Sequence, residues 1–133
     1  MPYLNLRLCT SRSRDESVKI VSALTDLTAE VLKKKRELTA VCIEYVAPEQ
    51  WYIGGIQLGP QPMSSFFLEI KITEGTNTKD DKAAYVSRVF AVIEEIVGPL
   101  AAASYIVIHE VQADSWGYQG QTQEFRYIKG KTL

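Results

Sequence analysis

An internal repeat constrains this chain more than any other feature. The segment from Val41-Cys42-Ile43 to Trp51 has a counterpart running from Ile106-Val107-Ile108 to Trp116. The offset is 65 residues, and it also sets Gly55 on Gly120. Leu4-Leu6-Leu8 matches Leu68-Ile70-Ile72 at an offset of 64. Each of these alternates apolar with other residues, as a half-buried strand does. Helical spacing follows each: Val18, Val21, Leu24, Leu27 and Val31 in the first half, Val86, Phe90, Ile93 and Val97 in the second. The helix openings also correspond. Ser13-Arg14-Asp15-Glu16 and Thr78-Lys79-Asp80-Asp81 each offer a hydroxyl cap and first-turn acids, and Gly98-Pro99 stops the second helix.

The chain therefore reads β-α-β, linker, β-α-β. A strand, a crossover helix and a parallel strand form a unit of right-handed preference. One unit leaves an apolar helix face and open sheet edges. The expected fold is α/β (α+β): tandem β-α-β units forming a four-stranded mixed sheet with two helices on one face. It would be a single domain over 1–133, with repeats at about 2–55 and 65–120, a linker at 56–64 and a C-terminal tail. Glu124-Phe125-Arg126-Tyr127-Ile128 in that tail reads as a short strand docking on a neighbour. Because Leu68, Ile70 and Ile72 cannot all satisfy both sides of a sheet covered on one face, association through the bare face is expected, most simply as a closed ring.

Composition sets bounds on partners. With 15 basic and 16 acidic residues the net charge is -1, so no global field draws the chain to nucleic acid or an anionic membrane. Cys9 and Cys42 lie in apolar strand-like runs and read as reduced packing residues, not a disulfide frame. No run approaches a membrane span, and no signal peptide precedes the first strand, so a cytoplasmic location is the expectation.

Against this frame Pro2 acquires meaning. Small second residues allow trimming of Met1, which leaves a free secondary amine at the start of a strand. Two readings are open: a solvated, inert terminus, or a rigidly held amine serving as base or nucleophile. Pro2 aligns with the internal residue Phe66, so each chain can hold only one such amine.

Pro2 on a strand, duplicated β-α-β units of about sixty residues and the turn Trp51-Tyr52-Ile53-Gly54-Gly55 together resemble the tautomerase superfamily. The start and the turn resemble the short 4-oxalocrotonate tautomerase subunit. The fused length is similar to cis-3-chloroacrylic acid dehalogenase and malonate semialdehyde decarboxylase, and Tyr52 to Gly59 with Glu74-Gly75 reads like the dehalogenase branch. The resemblance implies a homotrimer of fused chains (a pseudo-hexamer), with Pro2 at the floor of a pocket. It implies a small carboxylate substrate and no cofactor. A proline amine made neutral by burial and nearby cations would shuttle a proton beside a carbonyl, which is keto-enol tautomerisation.

Residue by residue, the resemblance puts the substrate-binding arginine of the first loop on Arg12, with Arg14 beside it. The second arginine falls on Ala40 and is missing. The pocket phenylalanine falls on Trp51, and its repeat Trp116 lines either the same pocket or the core. The dehalogenase histidine falls on Thr28, and the paired arginines opening the second helix on Thr76 and Lys79, leaving at most one cation. Tyr105 and Glu110 are of the type of that branch's water-activating pair. His109 reads as a strand histidine bonded locally or as a catalytic imidazole. Lys33-Lys34-Lys35-Arg36 reads as a solvated helix end, or as the source of a substrate-binding lysine, and Arg126 as a side chain within reach of a pocket. No metal-ligand spacing or phosphate-cradling loop is present. Three functions follow: a cofactor-independent tautomerase of a 2-oxo or enol acid; a hydratase, dehalogenase or decarboxylase of a short unsaturated or 3-oxo acid; or a non-catalytic member.

Overall fold

The computed structural model describes residues 1–10 and 16–131. The elements in order are β1 (Tyr3–Cys9), α1 (Ser17–Val31), β2 (Ala40–Tyr45), β3 (Tyr52–Ile53), β4 (Ile56–Gln57), β5 (Ser65–Thr73), α2 (Lys79–Val97), β6 (Tyr105–Val111), β7 (Gly117–Tyr118), β8 (Gln121–Thr122) and α3 (Gln123–Lys129). The four long strands form one mixed sheet, ordered β2-β1-β5-β6. β1 pairs with β2 in parallel and β5 with β6 in parallel, while β1 and β5 run antiparallel, with Tyr3 opposite Lys71 and Cys9 opposite Ser65. The two β-α-β units are thus joined head to tail about the sheet centre.

Both main helices pack on one face. Leu4, Leu6 and Leu8 of β1 and Phe66, Leu68, Ile70 and Ile72 of β5 are fully buried against Ile20 and Leu24 of α1 and Tyr85, Val89 and Ile93 of α2. Strand alternation turns Leu68, Ile70 and Ile72 to the same side. All three are satisfied by the helix-covered side, so they give no reason for association through the bare face. What the bare face carries instead is mixed. Arg7 pairs with Glu44 at 3.1 Å, and His109 Nε2 meets Glu69 Oε1 at 3.3 Å, among Tyr3, Asn5, Phe67 and Tyr105. Cys42 also lies on this face and is exposed. It is not the packing residue expected, whereas Cys9 is buried; both are free thiols.

The helices are tied across the repeat. Thr28 and Tyr85, both wholly buried, share a hydroxyl hydrogen bond of 2.8 Å between α1 and α2, and Thr28 Oγ1 also donates to Leu24 O at 2.7 Å. The position that the dehalogenase resemblance gave a histidine is here part of the core. At the start of α2, Thr78 Oγ1 accepts from Asp81 N at 3.0 Å and the Asp81 carboxylate accepts from Thr78 N at 3.2 Å, a complete capping box. Ser13, Arg14 and Asp15, the expected opening of α1, lie outside the described residues.

Two corrections concern short segments. Gly54-Gly55 is not the start of a plain connection but the turn of a hairpin, β3–β4, with φ of +60° and +76°. Both central residues with positive φ make this the two-residue turn that suits strand twist. Gln119-Gly120 repeats it between β7 and β8, at φ 53° and 77°. The tail is not a strand. Gln123–Lys129 is helical, opened by Thr122 Oγ1 accepting from Phe125 N at 3.0 Å and closed by Gly130 N–H on Arg126 O at 3.0 Å. A hydroxyl cap followed by Gln-Glu is a helix opening, and it outweighs the β-leaning Phe-x-Tyr-Ile that follows.

Candidate active site

The antiparallel junction decides what surrounds Pro2. A parallel partner ends where its strand ends, so β6 finishes at the same end of the sheet as the start of β1, and β2 at the same end as the start of β5. Each hairpin therefore sits over the strand start of the other repeat. Pro2 is buried at the foot of β1, where its carbonyl accepts from Ala40 N–H at 3.2 Å. Proline costs no ladder bond at this first position. Directly above it, Trp116 Nε1 donates to the carbonyl oxygen of Met1 at 2.8 Å. That carbonyl belongs to the peptide bond whose nitrogen is Pro2's, so the indole stands over the nitrogen of interest.

Cations gather at the same place. Lys33 adopts φ 59° and turns the chain at the end of α1, which lets Lys34 N–H reach back to Thr28 O at 3.3 Å. Lys34 Nζ donates to Thr76 Oγ1 at 2.7 Å, fixing the ammonium beside the loop that leaves β5. Burial pulls the pKa of Lys34 down, with Asp81 and Glu110 acting in the opposite sense. A cavity of about 480 Å³ opens here, lined by Met1, Lys34, Lys35, Tyr118, Gln123 and Arg126 among others. An adjoining one of about 500 Å³ takes in Met1, Thr76, Glu124 and Tyr127. The α-amine of Met1 is held below its ordinary value of 8.0 by burial first, then by Lys34 and Lys35. Any amine at this position meets desolvation and two positive neighbours, and both favour the neutral form.

Trp51 and Tyr105 lie elsewhere in the chain. With Tyr52 and Phe67 they line a cavity of about 320 Å³ at the start of β5, the opposite end of the sheet from Pro2. Lys79 opens α2 on the Pro2 side of the sheet but is exposed and does not line the Met1 cavity. Arg12 and Arg14 lie outside the described residues. Glu110 is ion-paired with Lys82. Among the described residues no group of three or more His, Cys, Asp or Glu is placed to hold a metal ion, and no helix is long and apolar enough to cross a membrane. Sequence reasoning did not find Tyr118 and Gln123. The sequence alone carries no signal for them, because it is the antiparallel join of the repeats that brings the segment just after β6 to Pro2.

The family model described as tautomerase enzyme matches residues 2–59 and 67–126, one match per repeat. Proteins of curated function give no match. Among solved structures, a fused 4-OT described as a wild-type symmetric trimer superposes with a TM-score of 0.81 at 14% identity, over 97% of this chain and 99% of that one. Pt0534, described as inactivated by 2-oxo-3-pentynoate, gives a TM-score of 0.81 at 10% identity, over 92% and 98%. A macrophage migration inhibitory factor-like protein from Entamoeba histolytica gives 0.74 at 20% identity, over 91% and 97%. At these identities the likeness is one of fold: a mixed four-stranded sheet under two helices.

Proposed function

Since this chain belongs to the tautomerase family, we propose that it is a cofactor-independent tautomerase acting on a small 2-oxo or enol acid, with the amine of Pro2, freed by removal of Met1, as the proton shuttle. The observation that carries this reading is the Trp116 bond to the carbonyl attached to Pro2's nitrogen, that carbonyl being part of Met1, which lines a cavity together with lysines. It supplies a donor beside the amine and positive charge for a substrate carboxylate. Burial and cations at the chain start lower the pKa of the Met1 amine, and the same surroundings would favour the neutral form of a Pro2 amine.

In the ketonising direction the neutral Pro2 nitrogen takes the enol hydroxyl proton. The resulting enolate charge is held by the Trp116 N–H, and the prolinium returns the proton to the neighbouring carbon. The sum is an isomerisation, with nothing consumed. Lys34 supplies positive charge that draws the carboxylate in, and the first-loop pair Arg12 and Arg14, which follow the far end of β1 in the sequence, would serve a neighbouring chain's site in the assembly. With Ala40 in place of a second arginine, one carboxylate is favoured over two. The protein acts as a cytoplasmic homotrimer, an assembly supported by the trimeric fused 4-OT of the same fold. Trp51 and Tyr105, remote from Pro2 within a chain, serve in that assembly as walls for a neighbouring chain's site, and Lys79 adds charge at the rim. The hydration reading is disfavoured because Glu110, the carboxylate it would use to activate water, is engaged by Lys82.

The test is ketonisation of phenylenolpyruvate by protein shown by mass to lack Met1, beside an equally processed Pro2→Ala variant. Loss of a positioned general base predicts a fall of about 10²–10⁴-fold. Equal rates for the two proteins, or no turnover by either, would sink the proposal.

A further inference from the structure

The helix α3 (Gln123–Lys129) has no counterpart in the first repeat. At the offset of 65, Gln123 falls on Leu58 and Arg126 on Gln61. Both α3 residues line the Met1 cavity. Trp116 joins them to Pro2, because its carbonyl accepts from Gln123 N–H at 2.7 Å while its indole holds the Met1 carbonyl.

Arg126 is fixed more firmly than the lysines opposite. Its guanidinium lies 3.8 Å from the centre of the Tyr118 ring. Nη2 donates to Tyr118 O and to Gln119 Oε1, each at 3.1 Å. Those bonds leave Nε and Nη1 uncommitted, and Arg126 has no ion pair among the described residues. Two donors on this side of α3, Arg126 Nε and Gln123 Nε2, are shielded from water and lack an acceptor. Shielded donors are normally satisfied, and an orphaned one is costly. Met1 lines the same cavity as Arg126 and Gln123.

We infer that α3 provides the substrate's carboxylate anchor: Arg126, assisted by the Gln123 amide, binds the carboxylate of a ligand seated over Pro2, in the space that Met1 vacates. The inference rests on the proposed function and adds to it a residue, the side from which the acid is held, and a reason for the appended helix. A guanidinium stacked on a ring and hydrogen-bonded along one edge loses little freedom on binding an anion, unlike three lysines on flexible stems. The start of β5, with Leu58 and Gln61 at the matching positions, has no such anchor.

The test uses full-length protein lacking Met1. Calorimetry would compare 3-phenylpropanoate with the uncharged 3-phenylpropanamide on wild type, Arg126→Met and Arg126→Lys, each with a matched thermal melt. Loss of one charge-assisted bond predicts acid binding weaker by about 10- to 100-fold in Arg126→Met, with the amide within about twofold, and partial recovery in Arg126→Lys. With phenylenolpyruvate the same loss is expected mainly in KM. Acid binding unchanged in Arg126→Met, acid and amide weakened together, or no preference for the acid in wild type would each overturn the inference. Turnover separates the two proposals. Arg126-dependent acid binding without any ketonisation removes the tautomerase reading and leaves the anchor. Ketonisation with acid binding indifferent to Arg126 does the reverse.

Discussion

The starts of β1 and β5 occupy matching places in the two repeats, and each is roofed by a hairpin with a tryptophan at its entrance. Beyond that they differ in every respect that bears on acid chemistry. At β1 stands Pro2, buried, and next to it Met1 lines a cavity with Lys34, Lys35 and Arg126. At β5 stand Phe66, sealed in the core, and a cavity walled by Trp51, Tyr52, Phe67 and Tyr105. One repeat uses its strand start for packing, and the other sets it beside a cavity lined by cations. The lesson is that a duplicated fold can specialise by exchanging charge and a terminus while its backbone stays in register.

The largest effects should separate the two ends outright. Phe66→Ala removes a wholly buried ring and should cost about 3–5 kcal/mol of stability in denaturant unfolding. Pro2→Ala should cost under about 1 kcal/mol there, yet remove most of the ketonisation rate. If both substitutions act mainly on stability, the contrast between the ends fails.

Next comes the bond that couples the repeats. Burial raises the pKa of Tyr85 to about 12, although its bond to Thr28 acts in the opposite sense. The unfolded phenol titrates near 10, so between pH 10 and 12 the unfolded state holds fewer protons and stability falls as pH rises. It is fully present below pH 10, and roughly 2–3 kcal/mol should be lost across that window. Guanidinium unfolding at pH 9 and pH 11.5 would show it, and Tyr85→Phe should flatten the slope. An equal slope in the variant would assign the loss to other groups.

Smaller effects would sharpen the roles of the tryptophans. Trp116→Phe keeps an aromatic ring but deletes the indole N–H and part of the indole's bulk, and should lower kcat/KM about tenfold. Trp51→Phe, which keeps an aromatic wall, should lower it by less than about threefold, and the loss should deepen as the protein is diluted because that wall serves a neighbouring chain. A loss that does not change with dilution would remove the β5 end from any shared site. The smallest effect expected is in pH dependence. Lys34→Met removes a charge that favours the neutral amine, so the acid limb of kcat/KM against pH should move up by less than about one unit. A limb that stays in place would free the amine from that lysine's influence.

Much of the fold was legible in the sequence. Alternation in Leu4-Leu6-Leu8 and Leu68-Ile70-Ile72, with helical spacing between, carried the strand and helix assignments, because burial on one face imposes those periods. Thr78 and Asp81 formed the cap that their spacing implied. What was not legible is the direction in which the repeats join. Without it, Trp51 could be placed beside Pro2, whereas within the chain that neighbour is Trp116. The tail was misread because its β-leaning apolar residues were given more weight than the cap at Thr122. The roles of Arg12 and Arg14 lie beyond the described residues.

The crossing of the hairpins has a consequence for protein engineering. Circular permutation moves a terminus without altering the contacts around it. Opening the chain between Ser65 and Phe66 and joining the old ends would make residue 66 the new N-terminus. A Phe66→Pro substitution there would place a free secondary amine beside a cavity of Trp51, Tyr52 and Tyr105 that no cation lines among the described residues. With the same backbone and the same kind of base, the preferred substrate should change from an acid to an uncharged carbonyl compound.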